Sequence, residues 1–152
     1  MDAPRALKVK DVLSYLGRDY LVEGVLSYKI DGKTRQLARV VDGAAVLWVE
    51  PVTDDLHDRL LLFSEVNDLA IGTPPPESIS YRGGMFVPRL TGRATVDVSG
   101  DVGARRAGTV EVWRYRAASD LFLQIESGPA GRTVLFGESV HQGMIDVLSP
   151  SG

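Results

Sequence analysis

Ser14-Tyr15-Leu16-Gly17-Arg18-Asp19-Tyr20-Leu21-Val22-Glu23-Gly24-Val25-Leu26-Ser27-Tyr28 decides how the chain is read. It predicts a short strand, a tight turn around Gly17 and a long strand whose side chains alternate between two faces. Gly24 in the middle of that long strand predicts a bulge or a sharp bend, since glycine weakens a flat strand but suits a corner. A second version, Ser80-Tyr81-Arg82-Gly83-Gly84-Met85-Phe86-Val87, lies 66 residues further on.

Working outward, Asp31-Gly32 and Asp42-Gly43 predict two further hairpin turns. They separate strands over 20–29, 33–41 and 44–50, and a polar loop then leads to a strand over 59–66. After the proline run Thr73-Pro74-Pro75-Pro76-Glu77, which is held extended, the pattern resumes. Strands are predicted over 79–81, 85–98, 109–116, 121–126, 132–138 and 144–148, and no segment keeps a helical period beyond about two turns. The chain therefore reads as all-β.

The two halves match in order. Tyr15/Tyr81, Gly17/Gly83 and Tyr20/Phe86 share one spacing, Leu47/Leu123, Val49/Ile125 and Glu50/Glu126 a second, and Arg59/Arg132, Leu62/Leu135 and Phe63/Phe136 a third. The expectation is an internal duplication: a first repeat over 1–72, a connector over 73–77 and a second repeat over 78–150, packed as one unit. Two SH3-like five-stranded barrels or rolls in tandem are preferred, with a single ten-stranded up-and-down barrel as the alternative.

Composition excludes several classes. With 44% hydrophobic and 24% charged residues the 152-residue chain is of ordinary globular type. A net charge of −3 gives no reason to expect nucleic acid. The chain has no cysteine, which removes disulfides, thiolate nucleophiles and cysteine-ligated metals. Lacking an apolar run that could span a bilayer, the chain is expected to be cytoplasmic, with a peripheral membrane contact left open.

Candidate sites are few. His57 among Asp54, Asp55 and Asp58 has the residue types of a cation site, but a solvated acidic loop is the preferred reading. Ser139-Val140-His141 lacks the context of a nucleophile elbow, so a turn role is preferred. The loop 100–108 is glycine-rich, with Arg105 and Arg106 at its tip. A strand follows where a phosphate loop needs a helix, so a mobile hairpin loop is the preferred reading, with contact to an acidic partner or lipid headgroup as the functional alternative. Trp48, Glu50, Trp113, Tyr115 and Glu126 form the more informative set. They would make an aromatic and acidic surface for an extended peptide or a small cation such as a polyamine. The preferred reading of Trp48, Trp113 and Tyr115 is nonetheless a core role, bridging the two repeats. No cofactor or metal is expected. A non-enzymatic protein-binding or scaffold module is the leading reading, a small-ligand barrel the second, and an enzyme using Glu50 or Glu126 as general base a remote third.

The run from Leu7 to Gly24, the Trp113-Arg114-Tyr115 strand and the closing Ile145-Asp146-Val147-Leu148 resemble the bacterial domain-of-unknown-function family numbered 4178, over about Leu7 to Leu148. The resemblance implies a mainly cytoplasmic bacterial β-protein with no established catalytic residues. It also implies a gene neighbourhood of envelope-stress and polyamine-synthase-like proteins. Lys10 departs from the family pattern, where glycine is frequent.

Overall fold

A computed structural model describes residues 6–51 and 58–150. Tight turns set the local structure. Leu16 and Gly17, at φ +50° and +77°, join β1 (Val12–Tyr15) to β2 (Arg18–Ile30). Arg82 and Gly83, at +47° and +80°, join β6 (Ile79–Tyr81) to β7 (Gly84–Gly100) in the same way. Two central residues with positive φ match the right-handed twist of the flanking strands. Asp31-Gly32 likewise joins β2 to β3 (Lys33–Asp42), which turns into β4 (Ala45–Glu50). The remaining strands are β5 (Arg59–Glu65), β8 (Gly108–Ala117), β9 (Leu121–Gly128), β10 (Gly131–His141) and β11 (Ile145–Leu148).

Eight of these strands close a barrel in the order β2-β3-β4-β5-β10-β9-β8-β7, with β7 pairing back onto β2. Every pairing is antiparallel. Two separate five-stranded barrels are therefore not what the chain builds. β5 pairs with β10 and β2 with β7, so each half supplies four staves of one wall. The single-barrel alternative is closer, with eight staves instead of ten. β1 and β6 leave the circuit to pair with the first residues of β2 and β7, and β11 adds to the outer edge of β1.

The departure happens at two bulges. The β2–β3 register skips Glu23 and the β7–β8 register skips Arg89. Before its bulge each long strand pairs with its hairpin partner, its last residues there already meeting β3 or β8. After it, β2 and β7 pair with each other and close the wall. Gly24 sits just past the first bulge, where a Cβ would lie 2.1 Å from the Asp101 carbonyl oxygen. That close approach is the reason for the glycine.

Alternation sorts the apolar residues onto two faces. One face fills the lumen with residues from all eight barrel strands, among them Leu26, Leu37, Trp48, Phe63, Val112, Phe122 and Leu135. An eight-stranded barrel leaves room for side chains and little else, and full burial of each large apolar side chain contributes about 1.5–3 kcal/mol. The opposite face carries two outer clusters. One lies beneath β1 and β11, around Leu13, Val40, Val49 and Leu62. The other lies beneath β6 and residues 66–71, around Tyr81, Tyr115, Ile125 and Val134.

One predicted match is out of step. Val49 stands opposite Leu62 and Ile125 opposite Val134, so matching Val49 with Ile125 aligns Leu62 with Val134 and Phe63 with Leu135. Phe63 and Leu135 share the lumen, whereas Phe136 packs outside against Tyr81 and Phe86. A one-residue slip had exchanged the two faces.

Candidate functional site

The lumen is not wholly apolar. β4 directs Trp48 and Glu50 inward, β9 directs Phe122, Gln124 and Glu126 inward, and β8 contributes Val110, Val112 and Arg114. Glu50, Arg114, Gln124 and Glu126 are each 5% exposed or less. A buried charge survives only where it is paired and its hydrogen-bonding groups are met.

The pairing is dense. Arg114 donates from Nη1 to Glu50 Oε2 at 2.9 Å and from Nη2 to Glu50 Oε1 at 2.5 Å, a two-pronged contact. Its Nε donates to Gln124 Oε1 at 2.9 Å, and Gln124 Nε2 donates in turn to Glu126 Oε2 at 2.6 Å. Glu126 also accepts from the Tyr28 hydroxyl at 2.8 Å and pairs with Arg105 Nη2. Arg35 Nη1 approaches Glu50 at 3.9 Å. A chain of bonds thus crosses the lumen from Glu50 to Arg105.

These contacts shift ionisation. Burial, with the Glu126 carboxylate alongside, pushes the Tyr28 hydroxyl well above the usual phenol range. Burial alone would pull the Arg105 guanidinium down, but Tyr28 and Glu126 beside it hold it above its ordinary value. Glu50 does the same for Arg114. Both arginines stay charged.

Arg105 reaches this network from the loop 101–107, which crosses one mouth of the barrel. Val102 plugs the lumen below it, and Arg105 lies over the Trp48 ring at 5.3 Å. Beside the loop is a cavity of about 500 Å³ walled by Trp48, Val102, Arg39, Arg105, Arg132 and Thr133, with Ser64 and Glu65 also on its lining.

Of the residues picked out in the sequence, the structure brings Trp48, Glu50, Glu126 and Arg105 together. Trp113 and Tyr115 belong to the outer cluster beneath β6, on the far side of the wall, where the Tyr115 hydroxyl donates to the Pro76 carbonyl at 2.6 Å. They do not share a surface with Trp48. Arg106 is exposed and borders a water-sized recess next to Arg105. His141 Nδ1 accepts from the Gly143 amide at 3.0 Å, the turn role expected of it. Ser139 Oγ contacts Arg59 Nη1 at 3.4 Å. His57, Asp54 and Asp55 lie outside the described residues. Among the described residues there is no group of three side chains fit to hold a metal, and no helix is long and apolar enough to cross a membrane.

Sequence reasoning missed Arg114, Tyr28, Gln124, Arg39 and Arg132. A usable signal existed for Arg114. It alternates with Val110 and Val112 on one face of β8, and an arginine on an apolar face needs a buried carboxylate as partner.

Closure, charged lumen and open mouth define an all-β domain built as a single antiparallel barrel with added outer strands. The chain belongs to the family described as "Domain of unknown function (DUF4178)", whose model matches residues 8–142. No curated protein and no solved structure matches it.

Proposed function

We propose that the protein is a non-catalytic binding module that holds a small ligand in the mouth of its barrel. The observation that carries this is the cavity of about 500 Å³ beside the loop 101–107. Its size is that of a small-molecule site, and barrel mouths are a common place for one. A non-catalytic role is supported by the state of the two interior carboxylates. Glu50 is engaged by Arg114, and Glu126 by Tyr28, Gln124 and Arg105, so neither is a free base. The matched turns and the bulges at Glu23 and Arg89 support reading the two halves as copies of one ancestral unit.

The experiment is a thermal-shift and amide-shift screen against nucleotides, sugars, amino acids and polyamines. A ligand of the native state raises the melting temperature and moves the amides of Gly103, Ala104 and Thr133. Ala104→Trp, which fills the mouth from an exposed position, abolishes both effects. A screen in which no compound moves those amides dismisses the site.

A second reading, a protein partner added along the edge of β11, is supported by that strand having β1 as its single neighbour among the described strands. A bound partner would give interchain contacts to the amides of Ile145–Leu148, and a complex without them would exclude this edge.

A further inference from the structure

We propose that the ligand of the barrel mouth is an oxyanion, a phosphate- or carboxylate-bearing small molecule. This rests on the mouth being a binding site. Three guanidiniums, Arg39, Arg105 and Arg132, line the cavity, together with the hydroxyls of Ser64 and Thr133 and one carboxylate, Glu65.

Each guanidinium is anchored through a single nitrogen. Arg39 Nη1 donates to Glu23 Oε1 at 2.6 Å. Arg132 Nη1 donates to the carbonyls of Ile71 and Gly72, both at 3.0 Å. Arg105 uses Nη2, on the Tyr28 hydroxyl at 2.9 Å and on Glu126. Those bonds hold the planar groups in place and leave the other two nitrogens of Arg39 and of Arg132 outside them. Arg105 Nη1 is buried without a hydrogen-bond partner and shut off from the open cavity, so Arg105 adds its charge to the lining and Arg39 and Arg132 supply the donors. Guanidiniums held this way are pre-organised for carboxylate or phosphate, which they meet with paired N–H donors.

Arg39 and Arg105 are ion-paired with Glu23 and Glu126, while Arg132 is anchored by neutral carbonyls. Arg132 therefore brings a positive charge that its anchors do not cancel, set against the one carboxylate of Glu65 on the lining. The aromatic face that a cation would seek, that of Trp48, is already covered by Arg105. A polyamine, the small cation expected from the sequence, meets guanidiniums here.

The test uses four probes on the full chain: inorganic phosphate, citrate, spermidine and glucose, each followed by amide shifts and titration calorimetry. Phosphate, citrate or both should perturb Gly103, Arg105 and Thr133, with affinity falling as salt rises. Arg132→Ala should weaken that binding about tenfold or more, the loss expected for one charge-assisted contact. Which anion binds more tightly distinguishes the phosphate source from the carboxylate source. If Arg132→Ala disturbs the melting curve, Arg39→Gln supplies the same comparison. Spermidine or glucose moving those amides while neither anion does would overturn the oxyanion and leave the site standing. Anions that perturb only residues away from the mouth would also overturn it. Silence from all four probes and from the wider screen would remove the site itself.

Discussion

Glu50 and Arg114 lie 64 residues apart in the chain and meet inside the barrel through two parallel hydrogen bonds of 2.9 and 2.5 Å. Removing one partner strands the other charge in a closed lumen. Arg114→Met or Glu50→Gln alone should cost about 3–5 kcal/mol in urea unfolding. The double replacement by apolar residues should cost clearly less than the sum. A single-variant loss under about 1 kcal/mol would show that the pair contributes little.

Tyr28 gives the alkaline behaviour. Its native hydroxyl titrates well above the ordinary value because it is buried beside Glu126, whereas the unfolded phenol ionises at about pH 10. Below that pH both states keep the proton and stability is unaffected. Above it only the unfolded state loses the proton, so stability falls from about pH 10 upward through the raised native value. Phenolate absorbance should show part of the tyrosine signal appearing only as the protein unfolds. Tyr28→Phe should lower stability at neutral pH and flatten the alkaline loss.

Gly24→Ala should be among the most damaging single changes. Its Cβ would stand 2.1 Å from a backbone oxygen of Asp101, against which no side chain can yield. The loss should be about 2 kcal/mol or more, read as a drop in melting temperature. Gly17→Ala, with open space around its Cβ and only a positive φ to strain it, should cost less.

Lys10→Gly should have the opposite sign from an ordinary glycine substitution. Lys10 has φ +82°, in the region that favours glycine. Relief of that strain should outweigh the extra freedom of the unfolded chain and raise stability by up to about 1 kcal/mol. A fall in melting temperature would refute this.

Neither half should fold alone. Expressed separately, residues 1–72 and 73–152 should each give collapsed, poorly dispersed amide spectra. Mixing them should restore the β5–β10 and β2–β7 seams and the dispersed spectrum. A well-dispersed spectrum from either fragment by itself would contradict single-barrel closure.

Much of the architecture was legible because its signals are local. The turns at Gly17, Asp31-Gly32 and Gly83 and the irregularity at Gly24 are written in three or four residues each. The seams joining β5 to β10 and β2 to β7 have no turn between their strands, so nothing near either strand announces its partner. The site divides along the same line. Trp48 and Glu50 alternate visibly on β4. Trp113 and Tyr115 alternate just as visibly on β8, but both faces of that strand are covered, so alternation alone does not say which side is the lumen. Arg114 and Tyr28 became site residues only once closure had set them against Glu50 and Glu126.

The ion pairs of the lumen also bear on heredity. Glu50 draws its neutralising arginine from the other half of the chain, and Glu126 draws the phenol of Tyr28 across the same divide. Had the two halves descended from one duplicated gene, neither copy would have been free to drift at these positions on its own. A change at 50 calls for an answering change at 114, so the copies are bound to evolve as a couple.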